Sequence, residues 1–214
     1  MDYPKKLVET VAKKMKGHHL EGFLSGQGPK NAALMLIGEA PGETEIKTKI
    51  PFSGRSGEKL NGWLAQAALT REDIYITSAV RSRPFSIKEQ LNKKTGLLET
   101  KYPNRTPTKA EVVAYAPLLD YEINKIQPKI LVPMGNTGLQ RLLGSKFTIS
   151  AYHGQLLHLP ILKYSKSKNQ LIKSANIYTI FPTYHPAAVF YNQKLDPLIQ
   201  KDWTFLASLI KQCD

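Results

Sequence analysis

With 214 residues the chain falls in the size range of one domain, and 42% hydrophobic, 9% aromatic and 22% charged residues exclude fibrous, low-complexity and disordered classes. Thirty Lys and Arg against 17 Asp and Glu leave a net charge of +13, which points to a phosphate-bearing partner: nucleic acid, an anionic nucleotide or a membrane surface. The single cysteine, Cys213, excludes a disulfide framework or a thiolate metal cluster within one chain and fits a reducing compartment.

The first segment carries Leu7, Val8, Val11, Ala12 and Met15 at helical spacing among lysines, so residues 1–25 are expected to form an N-terminal helical extension. No apolar signal-peptide core accompanies it, and nowhere do about 18 apolar residues run together, so a soluble cytoplasmic protein without membrane contact is expected. Residues 32–37 then form a continuous apolar run closed by Gly38, which suits a strand buried on both faces. Similar runs occur at 74–76, 130–132 and 177–181.

Helical patterns separate these runs. Leu60, Trp63, Leu64 and Ala67 form one; Val112 to Ile126 form another, opened by a Thr108/Glu111 capping box; Asp196-Pro197 reads as the N-cap and first residue of a last helix reaching Ile210. Strands alternating with helices predict an α/β fold: a three-layer αβα sandwich on a central, mostly parallel four-stranded sheet, in one domain over 1–214.

Two basic stretches interrupt this order. Residues 81–109 hold eight cations against Glu89 and Glu99, and residues 155–194 hold Lys163, Lys166, Lys168, Lys173 and Lys194 with no acid. Any single lysine here is best read as a solvating residue, whereas two concentrated blocks favour an anion-binding face.

In open parallel sheets, ligands bind beyond the carboxyl ends of the strands. Those ends are followed by Gly38-Glu39-Ala40-Pro41-Gly42, by Ser78 to Pro84, by Gly135-Asn136-Thr137-Gly138 and by Pro182-Thr183-Tyr184-His185-Pro186. If the strands are parallel, one acid, one cationic pair, one amide and one histidine share a rim. A carboxylate able to direct water and an imidazole able to meet a developing anion suit hydrolysis through an oxocarbenium-like centre. The plainer alternatives stay open: Glu39 as a loop acid paired with lysine, His185 as a turn residue, and Phe52 as a hydrophobic staple rather than a stacking ring. His18, His19, His153 and His158 read as surface or packing residues.

Gly38-Glu39-Ala40-Pro41-Gly42, Pro51-Phe52-Ser53-Gly54-Arg55-Ser56-Gly57, Arg81-Ser82-Arg83-Pro84 and His185-Pro186-Ala187-Ala188, in this order, resemble the uracil-DNA glycosylase superfamily, most closely its family 4 branch. The resemblance runs from about Gly26 to the C-terminus. It implies a monofunctional DNA glycosylase that flips a damaged base, most simply uracil, out of the duplex and hydrolyses its N-glycosidic bond in base excision repair. It makes Glu39 the water-activating acid and His185 the stabiliser of the base anion. Gly38, Ala40, Pro41, Gly42, Phe52, Ser78 and Asn136 line the base pocket, with Phe52 stacking on the base. Ser53, Gly54, Arg55, Arg81, Arg83, Tyr184, Pro186, Ala187, Val189, Phe190 and Tyr191 are the implied DNA contacts, Arg81 and Arg83 through phosphates.

Three departures accompany the resemblance. Family 4 members hold an iron-sulfur cluster through four cysteines; Ser82 and Tyr115 occupy two matching positions and the N-terminal pair is absent, so neither metal nor other cofactor is expected. Ser78 stands where the family carries an asparagine that reads the uracil edge, which bears on base specificity. Residues 85–103 form a basic insertion loop without histidine, which excludes the covalent capture of DNA known in a related branch. DNA is the expected partner, and a monomer the expected state. The alternative is a nucleic-acid-binding protein with this fold and little or no catalysis. A nucleoside hydrolase is disfavoured, because a small ligand has no use for so wide a basic surface.

Overall fold

The computed structural model describes residues 1–93 and 95–211; Lys94 and Cys213, to which the charge and redox readings refer, lie outside the described residues. The chain starts with α1 (Lys5–Lys14), whose Val11 is buried with Tyr115 and Leu118, and a two-residue strand β1 (Leu20–Glu21). Then follow β2 (Leu34–Gly38), α2 (Glu43–Thr48), α3 (Arg55–Gln66), β3 (Ile74–Ser78) and β4 (Arg83–Pro84), the last pairing antiparallel with β1. A ribbon of β5 (Lys88–Leu91) and β6 (Leu98–Lys101) precedes α4 (Lys109–Ile126), β7 (Ile130–Pro133), α5 (Gly135–Leu143) and α6 (Ile149–Tyr152). The chain closes with β8 (Leu157–Ser165), β9 (Gln170–Ile180), α7 (Ala188–Tyr191) and α8 (Asp196–Lys211).

The main sheet has the order β3-β2-β7-β9-β8. The first four strands are parallel, as Leu36 opposite both Ile76 and Val132 and Leu131 opposite Ile180 record; β8 runs antiparallel along β9. The sheet therefore has five strands rather than four. The extra one escapes a sequence reading because Pro160 sits inside it, and proline is tolerated only at an edge or a bulge. β8 is that edge, and its register shifts between Pro160 and Leu162.

Alternating side chains divide the core into two layers. Leu34, Leu36, Ile74, Ile76, Ile130 and Val132 meet Leu60 and Trp63 of α3 and Trp203 and Leu206 of α8 on one face. Met35, Ile37, Tyr75 and Leu131 meet Leu119 and Ile123 of α4 and Leu142 of α5 on the other. This is the three-layer αβα arrangement. The Thr108/Glu111 capping box forms as expected: Glu111 N donates to Thr108 Oγ1 (3.2 Å) and Thr108 N to Glu111 Oε2 (2.8 Å). Asp196 differs from its expected role. The chain enters α8 through a 3-10 turn, so Asp196 is already helical, and its carboxylate accepts from Lys59 Nζ and Trp63 Nε1, each at 3.0 Å. No described helix is long and apolar enough to cross a membrane.

Candidate active site

The parallel register brings the four strand ends together: Gly38 lies opposite Ser78, Ile37 opposite Pro133, and Met134 bridges to Thr183. Beyond them opens a cleft of about 920 Å³ lined by Gly38, Glu39, Ala40, Pro41, Gly42, Phe52, Ser78, Asn136 and His185. Gly54, Arg55, Ala187, Phe190 and Tyr191 also line it. Ser53 does not, and its Oγ lies 2.6 Å from Thr48 Oγ1. Tyr184, Pro186 and Val189 back the cleft: Val189 is in the core, Pro186 is buried, and Tyr184 packs on His153 with ring centroids 4.8 Å apart.

Glu39 follows the last residue of β2, and Val80 N donates to its carbonyl (3.1 Å). Thr137 Oγ1, in the first turn of α5, donates to Glu39 Oε2 at 2.5 Å and orients the carboxylate. Thr137 is a site residue that the sequence reading passed over, although it adjoins Asn136 in the same Gly-Asn-Thr-Gly turn.

Phe52 holds a left-handed backbone conformation (φ +52°), which a non-glycine residue keeps only when its surroundings impose it. Arg71, also unmarked by any motif, imposes it by donating to Pro51 O (2.7 Å) and Phe52 O (2.6 Å). Gly57 completes the fit, since a Cβ there would sit 1.6 Å from Phe52 O. Gly38 leaves room for the ring, whose Cζ would lie 3.0 Å from a Cβ at that position.

The Phe52 and His185 rings are 5.5 Å apart between centroids, tilted by 36°. Burial pushes the His185 pKa from 6.5 down to about 4, so the imidazole is neutral near pH 7. Ala187 N donates to its Nδ1 (3.1 Å), which assigns the proton to Nε2 and makes that atom the donor. A glycine is required opposite: Gly135 has φ +84°, and a Cβ there would lie 3.1 Å from His185 Cβ.

Ser78, at the position that reads the base edge in the family, and Asn136, a pocket residue, are already partly engaged. Ser78 Oγ donates to Val80 O (2.7 Å), leaving the hydroxyl as an acceptor. Asn136 Oδ1 accepts from Ile149 N (2.8 Å), leaving its amide NH₂ as donor.

Arg81 and Arg83 are not placed as the phosphate contacts the sequence suggested. Arg81 is 1% exposed, and its guanidinium pairs with Glu122 and donates to Tyr3 OH (3.1 Å). Glu122 also accepts from Tyr75 OH (3.0 Å), Thr77 Oγ1 (2.6 Å) and Gly26 N (3.2 Å), so the pair is a buried, saturated hub. Arg83 is 4% exposed and donates to Glu21 and Asn104 (2.6 Å each) and to the Tyr102 carbonyl. A buried guanidinium surrounded by acceptors cannot reach a DNA backbone without abandoning them.

Four of the five lysines of the second basic block, Lys163, Lys166, Lys168 and Lys173, also lie away from the cleft. The turn between β8 and β9, with Lys166 and Lys168, lies at the amino end of β9, whereas the cleft lies beyond its carboxyl end. Strand length alone puts roughly 30 Å between them. The turn instead meets α1, where Lys14 Nζ donates to Tyr164 OH (2.8 Å) and Asn169 Oδ1 (3.0 Å).

The residues at the positions of the family's cluster do not fit an iron-sulfur group. Tyr115 OH donates to Ser82 Oγ and Ser82 Oγ to Gly22 O, both at 2.6 Å, and burial pushes the Tyr115 hydroxyl further from ionisation. Hydroxyls are not the thiolate ligands such clusters need. Among the described residues no group of three or more His, Cys, Asp or Glu is placed to hold a metal ion.

The sequence model of the Uracil DNA glycosylase superfamily matches residues 25–207. A type-4 uracil-DNA glycosylase of Sulfurisphaera tokodaii is 31% identical over 189 residues, covering 86% of this chain and 73% of the relative. One of Thermotoga maritima is 30% identical over 190 residues, covering 87% and 82%. A DNA polymerase of Bacillus phage SP01 is 28% identical over 192 residues, which span 88% of this chain and 17% of the polymerase.

Proposed function

This chain belongs to the uracil DNA glycosylase superfamily, and on that premise we propose that it excises uracil from DNA, as a monofunctional hydrolase of base excision repair. The observation that carries the catalytic assignment is the meeting, in one cleft, of the Glu39 carboxylate, the Phe52 ring and a neutral His185 whose Nε2 carries the proton.

The flipped base stacks on Phe52. Glu39 orients a water for attack at the anomeric carbon, accepts the proton that the water loses as the C–O bond forms, and favours the positive charge that grows on the sugar. The N-glycosidic bond breaks, the electron pair leaves with the base, and His185 Nε2–H donates to the anionic oxygen of that base; the released base anion takes up a proton from solvent. Neutrality of the imidazole suits this role, because the donor stabilises the anion without having to transfer its proton. Ala40, Pro41 and Gly42 wall the pocket. Ser53, Gly54 and Arg55 take the DNA backbone at the start of α3, where amide groups favour phosphate. Tyr191, 91% exposed at the cleft mouth, fills the space that the base vacates, and Phe190 supports it with Arg55 4.5 Å over its ring. The enzyme acts in the cytoplasm as a monomer with DNA as its partner, and uses no metal or cofactor.

The test is base release from uracil-containing single- and double-stranded oligonucleotides by the wild type and by Glu39→Gln. Release that depends on Glu39 supports the reading, and undiminished release by the variant removes that role. The engaged Ser78 hydroxyl favours one second reading, in which the excised base is not restricted to uracil; hypoxanthine and xanthine oligonucleotides test it. Salt-sensitive DNA binding with no release of any base would mark a binding protein that kept the fold alone.

A further inference from the structure

Residues 85–103 form a ribbon rather than a loop, and its surface is unusual. Lys88 pairs with Lys101 and Leu91 with Leu98, and the two-residue period places Ile87, Leu91, Leu98 and Tyr102 on one face, with the Glu89–Thr100 pair between the two apolar pairs. The four apolar residues are 52%, 58%, 64% and 52% exposed, so their side chains have little cover within the described chain. Lys88 lies on the opposite face and Lys93 in the turn, and neither has a protein partner among the described residues. An isolated two-stranded ribbon is marginal in water, and an apolar strip of this kind marks a contact surface.

The root of the ribbon is firmly held. Phe85 stacks on His19 (5.5 Å) and meets Tyr102 edge-on (5.8 Å), Ser86 N donates to Pro103 O (2.9 Å), and Arg83 donates to the Tyr102 carbonyl. That root is the wall of the cleft, since Pro84, Asn104, Arg105 and Thr106 line it. The ribbon is a two-stranded sheet of its own, and its root and α7 both line the cleft, through Pro84 and Asn104 on one element and Ala188, Phe190 and Tyr191 on the other.

We propose that the β5–β6 ribbon is a second DNA-contacting element, lying along the duplex beside the extruded nucleotide. Lys88 and Lys93 meet phosphates while the Leu91/Leu98 face packs on sugars and base edges. The proposal rests on the glycosylase reading, because only a nucleotide held in the cleft brings the flanking duplex to this wall. A two-stranded ribbon has the width of a groove; its tip offers the Leu91–Leu98 pair beside Lys93, and its other face offers Lys88 beside the Glu99–Lys101 ion pair. Apolar side chains, and cations unpaired among the described residues, thus stand where base edges and phosphates would meet them.

The experiment measures Kd for a uracil-containing duplex oligonucleotide against salt concentration, in the full chain. Lys88→Gln with Lys93→Gln should flatten the log–log salt dependence by about 2, one unit per lost phosphate contact. Leu91→Thr with Leu98→Thr keeps strand propensity and should weaken Kd about tenfold at an unchanged slope. Thermal unfolding controls for folding, and Lys166→Gln with Lys168→Gln, on the distant turn, should leave binding as in the wild type. Unchanged Kd and slope in both ribbon variants overturn the proposal. If light scattering then shows a wild-type dimer that the leucine variant dissociates, the face joins two copies of the chain instead. A wild type that neither releases uracil nor binds DNA defeats the glycosylase reading first, and the ribbon proposal falls with it.

Discussion

Thr137 Oγ1 donates to Glu39 Oε2 across 2.5 Å, tying the first turn of α5 to the carboxylate that leaves the end of β2. The bond crosses 98 residues of sequence and joins two neighbouring strand ends of the sheet. It holds the carboxylate in one orientation while leaving its second oxygen to engage water. Thr137→Val should reduce kcat for uracil release about tenfold with little change in KM, and Thr137→Ser should restore it; Glu39→Gln should cost about 100-fold. Steady-state release assays on one duplex substrate compare all three.

His185 links catalysis to pH. Its folded pKa of about 4 lies below the ordinary 6.5, so between these values the unfolded chain binds a proton that the folded chain refuses. The contribution of His185 to stability is therefore complete above pH 6.5 and is lost as the pH falls towards 4. Thermal scans should show a steeper fall in Tm over that window for the wild type than for His185→Gln. At pH 7 the same variant should lose roughly 100- to 1000-fold in kcat, the usual cost of removing a donor aimed at a developing anion.

The Phe52 ring depends on residues beneath it. Arg71→Leu removes both donors that hold the Pro51 and Phe52 carbonyls, and should cost about 1–3 kcal/mol of stability and raise KM several-fold. Gly57→Ala should be far more damaging, because its methyl would have to displace the Phe52 carbonyl, and soluble yield should fall with activity. Denaturant titration beside kinetics separates the two effects.

Glu122 is the centre of the buried polar network. Glu122→Ala strands the Arg81 guanidinium in the interior and should cost about 3–5 kcal/mol, enough to lower Tm by about 10 °C or more. A double variant with Arg81→Met should recover part of that loss, since an apolar pair of similar volume is tolerated where a lone charge is not. Calorimetry on the single and double variants checks it.

At the positions where the resemblance to family 4 would place cluster cysteines, the Tyr115–Ser82–Gly22 chain should behave as an ordinary buried hydrogen-bond staple. Tyr115→Phe should cost about 1 kcal/mol, and the purified protein should show no iron-sulfur absorption in the visible range. A visible chromophore that survives dialysis against chelator would refute this.

Much of the site was legible in the sequence because its constraints are local. Glu39, Phe52 and His185 sit in short turns whose glycines are required by close backbone approach, and such turns leave a pattern in consecutive residues. Arg71 and Thr137 left none. Arg71 acts on carbonyls 19 and 20 residues earlier, and Thr137 acquires its role only because β7 pairs with β2. β8 was hidden by Pro160, whose presence becomes permissible only once the strand is an edge.

The sequence by itself determined the αβ alternation, the buried parallel strands and the four strand-end turns, because hydrophobic period and backbone chemistry are written in neighbouring residues. Tertiary structure alone decided what the charges do. Arg81 and Arg83 look like phosphate ligands until Glu122, 41 residues from Arg81, and Glu21, 62 from Arg83, are folded against them. The lysines of the β8–β9 turn look like part of a DNA face until strand direction carries them to the opposite end of the sheet. A charge acts on whatever is near it in space, and in this protein the direction of each strand and the register of the sheet decide what that is.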